Sequence, residues 1–184
     1  PSDQIEKIYL TASGGPFLNF NKKKLKKINI SQALKHPNWK MGKKITIDSS
    51  TLMNKVFEVI EAKHIFELPY IKISILTHPN SYVHALVKFS NGLIKIIAHD
   101  TTMKIPIFNT IFTNDKKKIA SKNIDIVKLN SLNLRKVDTE LFPSIKIIKK
   151  MPKKISLYES VIVSTNDRLV NLFLEKQIKY NQIV

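Results

Sequence analysis

The stretch from His36 to Glu61, HPNWKMGKKITIDSSTLMNKVFEVIE, constrains the fold more than any other part of the chain. Its second half has the apolar periodicity of a helix. With Asn54 as origin and an advance of about 100° per residue, Glu61, Asn54, Glu58, Thr51, Ala62 and Lys55 fall in an arc of roughly 120°. Leu52, Met53, Val56, Phe57, Val59 and Ile60 take the rest of the circle, an apolar back that would anchor the helix to a core. Asp48, Ser49, Ser50 and Thr51 are candidates for the helix start, where their side-chain oxygens would satisfy free amides. Lys43 to Asp48 alternates as a short strand feeding that start. A helix start with hydroxyls, an amide and a lysine close by suits an anion. Spacing alone favours a plainer alternative, a solvated face of acid and lysine pairs.

A chain of 184 residues with 43% hydrophobic content can bury a real core, in one domain or one and a half. It begins with Pro1 rather than methionine and so reads as a piece of something longer. No apolar run approaches membrane-spanning length, and the N-terminus lacks the charged and apolar regions of a signal peptide. Without cysteine there is no disulfide framework, no thiolate nucleophile and no cysteine metal site. A soluble intracellular protein is expected. The net charge of +17 raises the possibility of a basic nucleic-acid binder. The makeup of that charge argues against it, because only Arg135 and Arg168 are arginines among 31 basic residues. Base readers lean on the arginine fork, which lysine lacks. The basic runs Lys22 to Lys24, Lys116 to Lys118 and Lys149 to Lys154 also lack interleaved aromatics.

Taken in order, Ile5 to Leu10 reads as a short buried strand running into Thr11-Ala12-Ser13-Gly14-Gly15-Pro16-Phe17. Two adjacent glycines let the backbone turn its amides toward one point, and Ser13 adds a hydroxyl, a combination that can hold phosphate oxygens. An ordinary turn is the bland alternative, although two of only four glycines are used here. Lys22 to Leu34 reads as a basic helix or pair of turns. His36 to Gly42 reads as a loop, since Pro37 pushes His36 out of helical geometry. It holds the single tryptophan, which either plugs a core or closes over a ligand. Ile71 to Thr77 is a strand reaching His78-Pro79-Asn80-Ser81. Tyr82 to Phe89 and Leu93 to His99, flanking Ser90-Asn91-Gly92, predict a hairpin. His84 reads as structural, whereas His78 sits at a strand end, a better place for ligand contact. Ile105 to Phe108 opens another helix, and Thr113 to Asp138 weakens into a connecting arm. Ile145 to Lys150, after Pro143, and Ser160 to Leu174 read as further helices.

Together these motifs resemble one family. Thr11 to Phe17, then His36-Pro37-Asn38-Trp39-Lys40-Met41-Gly42-Lys43-Lys44-Ile45, then Asp48-Ser49-Ser50-Thr51-Leu52-Met53-Asn54-Lys55, then His78-Pro79-Asn80-Ser81 look like 1-deoxy-D-xylulose 5-phosphate reductoisomerase of the non-mevalonate isoprenoid pathway. The order and spacing of four motifs hold over about the first 110 residues, and Phe142-Pro143 onward resembles the family's later helical region. The resemblance implies an α/β (α+β) architecture: a mixed-sheet catalytic domain over residues 1–112 with a hairpin and flanking helices, a connecting arm over 113–141, and a partial C-terminal helical bundle over 142–184. It implies isomerisation of the ketose phosphate to a branched aldose and reduction of the aldehyde by NADPH, with a divalent metal, Mg²⁺ or Mn²⁺, holding substrate oxygens. Ser13, Ser49, Asn54 and Lys55 match substrate positions, chiefly for its phosphate. Glu58 matches a metal carboxylate that also meets the substrate. His36 and Glu58 are the implied catalytic positions. Trp39 and Met41 match a lid closing with His36, Gly42 a position near the nicotinamide, and His78 a histidine near the site.

Departures limit these expectations. The family's substrate helix usually has glycine after Asn-Lys, where this chain has Val56, and its later helix carries Asn-Glu where this chain has Asn166-Asp167. The nucleotide-binding half, with its Gly-rich loop, a catalytic lysine and the acidic pair that completes the metal site, has no counterpart in these 184 residues. The chain is therefore expected to be inactive alone, with a non-catalytic, diverged phosphate-binding remnant as the rival. A homodimer in the complete enzyme and a cytoplasmic location, or a plastid-type organelle in a eukaryote, are further implications.

Overall fold

The structure, a computed structural model, describes residues 4–36, 41–113, 116–154 and 156–184. Its frame is a five-stranded mixed sheet in the order β4-β3-β1-β2-β5. Strand β1, Ile5–Ala12, and strand β2, Ile73–Thr77, run parallel with Ala12 opposite Thr77. Parallel neighbours need a crossover, and the helices between them supply it. Beyond β1 lie β3, Val83–Phe89, and β4, Ile94–Ala98, the expected hairpin, which turns at Gly92 with φ 87°. The segment expected as a plain connecting arm contributes more than a link: Arg135–Lys136 forms β5, antiparallel to β2.

The crossover departs from expectation. Lys22 to Leu34 does form a pair of turns, the four-residue helices α1, Lys22–Leu25, and α2, Ile30–Ala33. Lys43 to Asp48, however, is not a strand. It belongs to helix α3, Lys43–Thr51, capped by Gly42. Alternation of Ile45 and Ile47 misled here, because Ile45 is half exposed while Thr46, Ser50 and Thr51 are buried with Ile47. Hydroxyls satisfy the helix from within: Thr46 Oγ1 donates to the Gly42 carbonyl at 2.8 Å and Ser50 Oγ to that of Ile47 at 2.7 Å. Asp48, Ser49, Ser50 and Thr51 consequently close α3 instead of opening the next helix. The start of α4, Met53–Phe66, falls after Leu52, whose φ of 57° breaks the helical path. A leucine in the left-handed region costs about 1–2 kcal/mol. Burial to 1% exposure, at about 1.5–3 kcal/mol for a leucine, offsets that strain.

On α4, Met53, Val56, Val59 and Ala62 are buried, Asn54, Lys55 and Glu58 only partly. Ala62 thus joins the apolar back and not the polar arc. Val56 is fully enclosed with Met53 and Met151, so its side chain fills a core contact. The main core joins the sheet residues Ile8, Ala12, Ile73 and Ile75 to Phe17, Ile47, Leu52 and Val59, then to Phe142, Val170, Phe173 and Tyr180 from the end of the chain. That end comprises α5, Lys104–Ile111, α6, Ile126–Asn130, a 3-10 helix over Pro143–Lys150 and α7, Tyr158–Leu174. Among the described residues, no helix is long and apolar enough to cross a membrane.

Candidate functional site

Ligands of open α/β sheets bind outside the carboxyl ends of parallel strands, and β1 and β2 end side by side. The His78 amide donates to the Ala12 carbonyl at 2.7 Å, which seats His78 beside the entry to Ser13. The turn that follows is unusually tight against α3. Gly14 and Gly15 have φ of 84° and 60°, and a Cβ on Gly15 would come within 2.9 Å of the Ser49 carbonyl oxygen. Only glycine permits both the backbone path and that approach. Ser13 and Ser49 are brought to one end of the sheet by it, and Ser13 Oγ accepts from the Gly15 amide at 3.4 Å.

The first turn of α4 adds polar groups directly after the Leu52 break. Asn54 Oδ1 is buried with no hydrogen-bond partner. Lys55 Nζ lies 2.9 and 2.8 Å from the two oxygens of Glu58. His78 is fully buried, and neither ring nitrogen makes a hydrogen bond of ordinary geometry. Its burial lowers its pKa, and the Asn133 backbone opposes that only in part. Unpartnered buried polar atoms cost stability, and Asn54 and His78 both carry them. His84 and His99, which the sequence did not single out as site residues, stack face to face at 3.6 Å between centroids beside this region. Burial, then the charge of His99 and those of Lys55 and His78, push His84 down to about 4. Both Lys55 and His78 are therefore within electrostatic reach of that ring.

Other expected residues are less gathered. Trp39 lies outside the described residues. His36 and Met41, on either side of it, are half-buried, and burial lowers the His36 pKa. Gly42 is exposed at the start of α3 with open space around it. A divalent cation does not fit this set alone. Glu58 is already engaged by Lys55, and among the described residues no three side chains of metal-ligating type cluster. Likewise no glycine-rich loop of the kind that cradles a dinucleotide occurs in these 184 residues.

Comparison with known proteins identifies the family. The family model described as the 1-deoxy-D-xylulose 5-phosphate reductoisomerase C-terminal domain matches residues 1–66, and the one described as the DXP reductoisomerase C-terminal domain matches residues 100–184. A 1-deoxy-D-xylulose 5-phosphate reductoisomerase of Pelagibacter ubique is 60% identical over 98% of this chain and 47% of its own length. One from a Sulfurihydrogenibium species is 44% identical over 98% of this chain and 48% of its own. The Zymomonas mobilis enzyme, solved in complex with NADPH, superposes with a TM-score of 0.89 at 32% identity, covering 99% of this chain and 47% of that one. A DOX-P reductoisomerase solved with NADPH, fosmidomycin and magnesium gives 0.85 at 34% identity, covering 98% and 44%. The chain spans about half the length of the curated relatives it matches. With the two family models laid along most of its length and relatives aligned over nearly all of it, the chain belongs to the 1-deoxy-D-xylulose 5-phosphate reductoisomerase family, as its C-terminal domains.

Proposed function

We propose that this chain is the substrate-holding half of an enzyme that converts 1-deoxy-D-xylulose 5-phosphate to 2-C-methyl-D-erythritol 4-phosphate. The observation that supports the reading is the close approach of Gly15 to the Ser49 carbonyl, with Ser13 Oγ accepting from the Gly15 amide and Asn54 Oδ1 buried and unpartnered in the first turn of α4. In this proposal Ser13, Ser49, Asn54 and Lys55 hold the phosphate; hydroxyl, amide and ammonium donors suit its oxygens. Lys55 is then shared between the incoming anion and Glu58. His36 touches the substrate as the lid of Trp39 and Met41 closes and excludes water, and Gly42 lies near the nicotinamide. His78, neutral at physiological pH, offers a ring nitrogen to a substrate hydroxyl.

When bound, NADPH would supply the hydride and a divalent cation would polarise the carbonyl. Glu58 contributes at most one ligand to that cation, so the remaining ligands and the nucleotide site belong to residues beyond these 184, and the chain alone turns nothing over. Residues 1–112 act as the catalytic unit, 113–141 as the arm and 142–184 as a helical support. A homodimer in the cytoplasm completes the reading; β4 supports it, as an edge strand exposed throughout with Ile94, Ile96 and Ile97.

Lys55→Ala in the complete polypeptide tests the assignment. Loss of a charge-assisted phosphate contact should raise KM for the ketose phosphate by about tenfold or more, with kcat affected less. An unchanged KM overturns the phosphate site.

A further inference from the structure

We propose that Ser144, Asn166 and Tyr180, from the end of the chain, are positioning residues that hold the last turn of α3 and thereby set Ser49 for anion binding. This inference rests on the phosphate-site reading above and adds to it.

The last carbonyls of a helix have no partner within the helix, and α3 cannot continue because Leu52 leaves the helical path. Its final turn is held from outside. Ser144 Oγ donates to the Thr51 carbonyl at 2.6 Å. The Tyr180 hydroxyl donates to the Ser50 carbonyl at 2.8 Å and lies 3.2 Å from Ser50 Oγ. Asn166 Nδ2 donates to Asp48 Oδ1 at 2.7 Å, while Lys44 Nζ holds the other oxygen at 2.8 Å. Residues 48, 50 and 51 are thus each gripped by a side chain from 93 to 130 positions away in sequence. Ser49, between them, is pressed on its other side by Gly15.

The gripping groups are themselves buried, with Ser144 at 0%, Asn166 at 2% and Tyr180 at 6% exposure. Tyr180 is further fixed by edge-on contacts with Phe17 and Phe173 at 5.2 and 5.8 Å. Phe17 ends the Gly-Gly turn, so the same tyrosine touches both walls of the anion site. An anchor serving stability alone has no reason to concentrate three hydrogen bonds on the one turn that carries Ser49. Displacing a binding group by a fraction of an ångström weakens a hydrogen bond steeply, and donors supplied from another part of the fold prevent that displacement.

The test is titration of the protein with inorganic phosphate, following affinity by calorimetry and folding by thermal melting. Tyr180→Phe keeps the ring and removes one hydroxyl, and Ser144→Ala removes another. Ile8→Val, a core change in β1 away from the clamp, is the stability control. The expected result is a loss of affinity of about fivefold or more in the Tyr180→Phe, Ser144→Ala pair, none in Ile8→Val, and about tenfold or more in Lys55→Ala. Wild-type affinity in the pair, with Lys55→Ala weakened, overturns the clamp and leaves the phosphate site standing. Equal losses in the pair and in Ile8→Val overturn it as well, since general destabilisation would then suffice. Wild-type affinity in Lys55→Ala overturns the site itself, and the clamp's purpose with it.

Discussion

Gly15 is the residue on which the geometry of the site turns. An alanine there would hold φ at 60° and put its Cβ within 2.9 Å of a backbone oxygen that no side-chain rotation can move. Strain of about 1–2 kcal/mol adds to the cost of shifting α3. Gly15→Ala should therefore lower unfolding free energy by about 2–4 kcal/mol in urea titration. Gly92→Ala, with the same kind of backbone and open space around it, should lose only the strain, about 1 kcal/mol. Equal losses would remove the close approach as the reason for glycine. Val56, at the position where the family usually has glycine, presents no comparable conflict: it packs between Met53 and Met151, facing away from the arc of Asn54, Lys55 and Glu58.

Two helices meeting at a left-handed residue form the element that carries the polar groups. A continuous helix from Lys43 to Phe66 would carry Ser49 and Lys55 along one axis; the break at Leu52 ends that axis between them. Glycine would relieve the backbone strain at this position. It would also empty a site where the side chain is 1% exposed. Removing a buried leucine costs about 2–5 kcal/mol and relief of strain returns about 1–2 kcal/mol. Leu52→Gly should thus destabilise by about 2 kcal/mol in equilibrium unfolding, and a stabilised variant would show that strain outweighs packing here.

Across the whole molecule, α4, the turn before β2 and α7 are tied by one carboxylate. Glu159 Oε1 accepts from Lys63 at 2.7 Å and from the Tyr70 hydroxyl, and its Oε2 lies 3.1 Å from His64 Nε2. Burial alone would raise its pKa; the bonds to Lys63, Tyr70 and His64 outweigh that and hold it down at about 2. A carboxyl depressed in the folded state stabilises the fold above its unfolded value near 4.5 and loses that contribution as pH falls toward 2. Thermal melts of wild type and Glu159→Gln should accordingly differ most above pH about 5 and converge between about 4.5 and about 2. A constant gap across that range would mean that Glu159 acts by packing and not by charge.

Local chemistry made much of this protein legible before any coordinates. The β1 and β2 strands, the Asn91-Gly92 hairpin, α7 and the glycine turn announce themselves through short-range periodicity and backbone demand. The resemblance of four ordered motifs suggested Ser13, Ser49, Asn54 and Lys55 as the phosphate-holding residues proposed here. Long-range packing decided the rest. Lys43 to Thr51 is a helix because its hydroxyls bond back to carbonyls three or four residues earlier while its small residues press against Gly15, facts that alternation of Ile45 and Ile47 does not express. Leu52 breaks the helix only because the core holds its side chain. Arg135–Lys136 becomes a strand only because β2 presents an open edge. Ser144, Asn166 and Tyr180 reach α3 from far along the chain, and partners that distant leave no spacing in the sequence, since their proximity exists only once the core between them has closed.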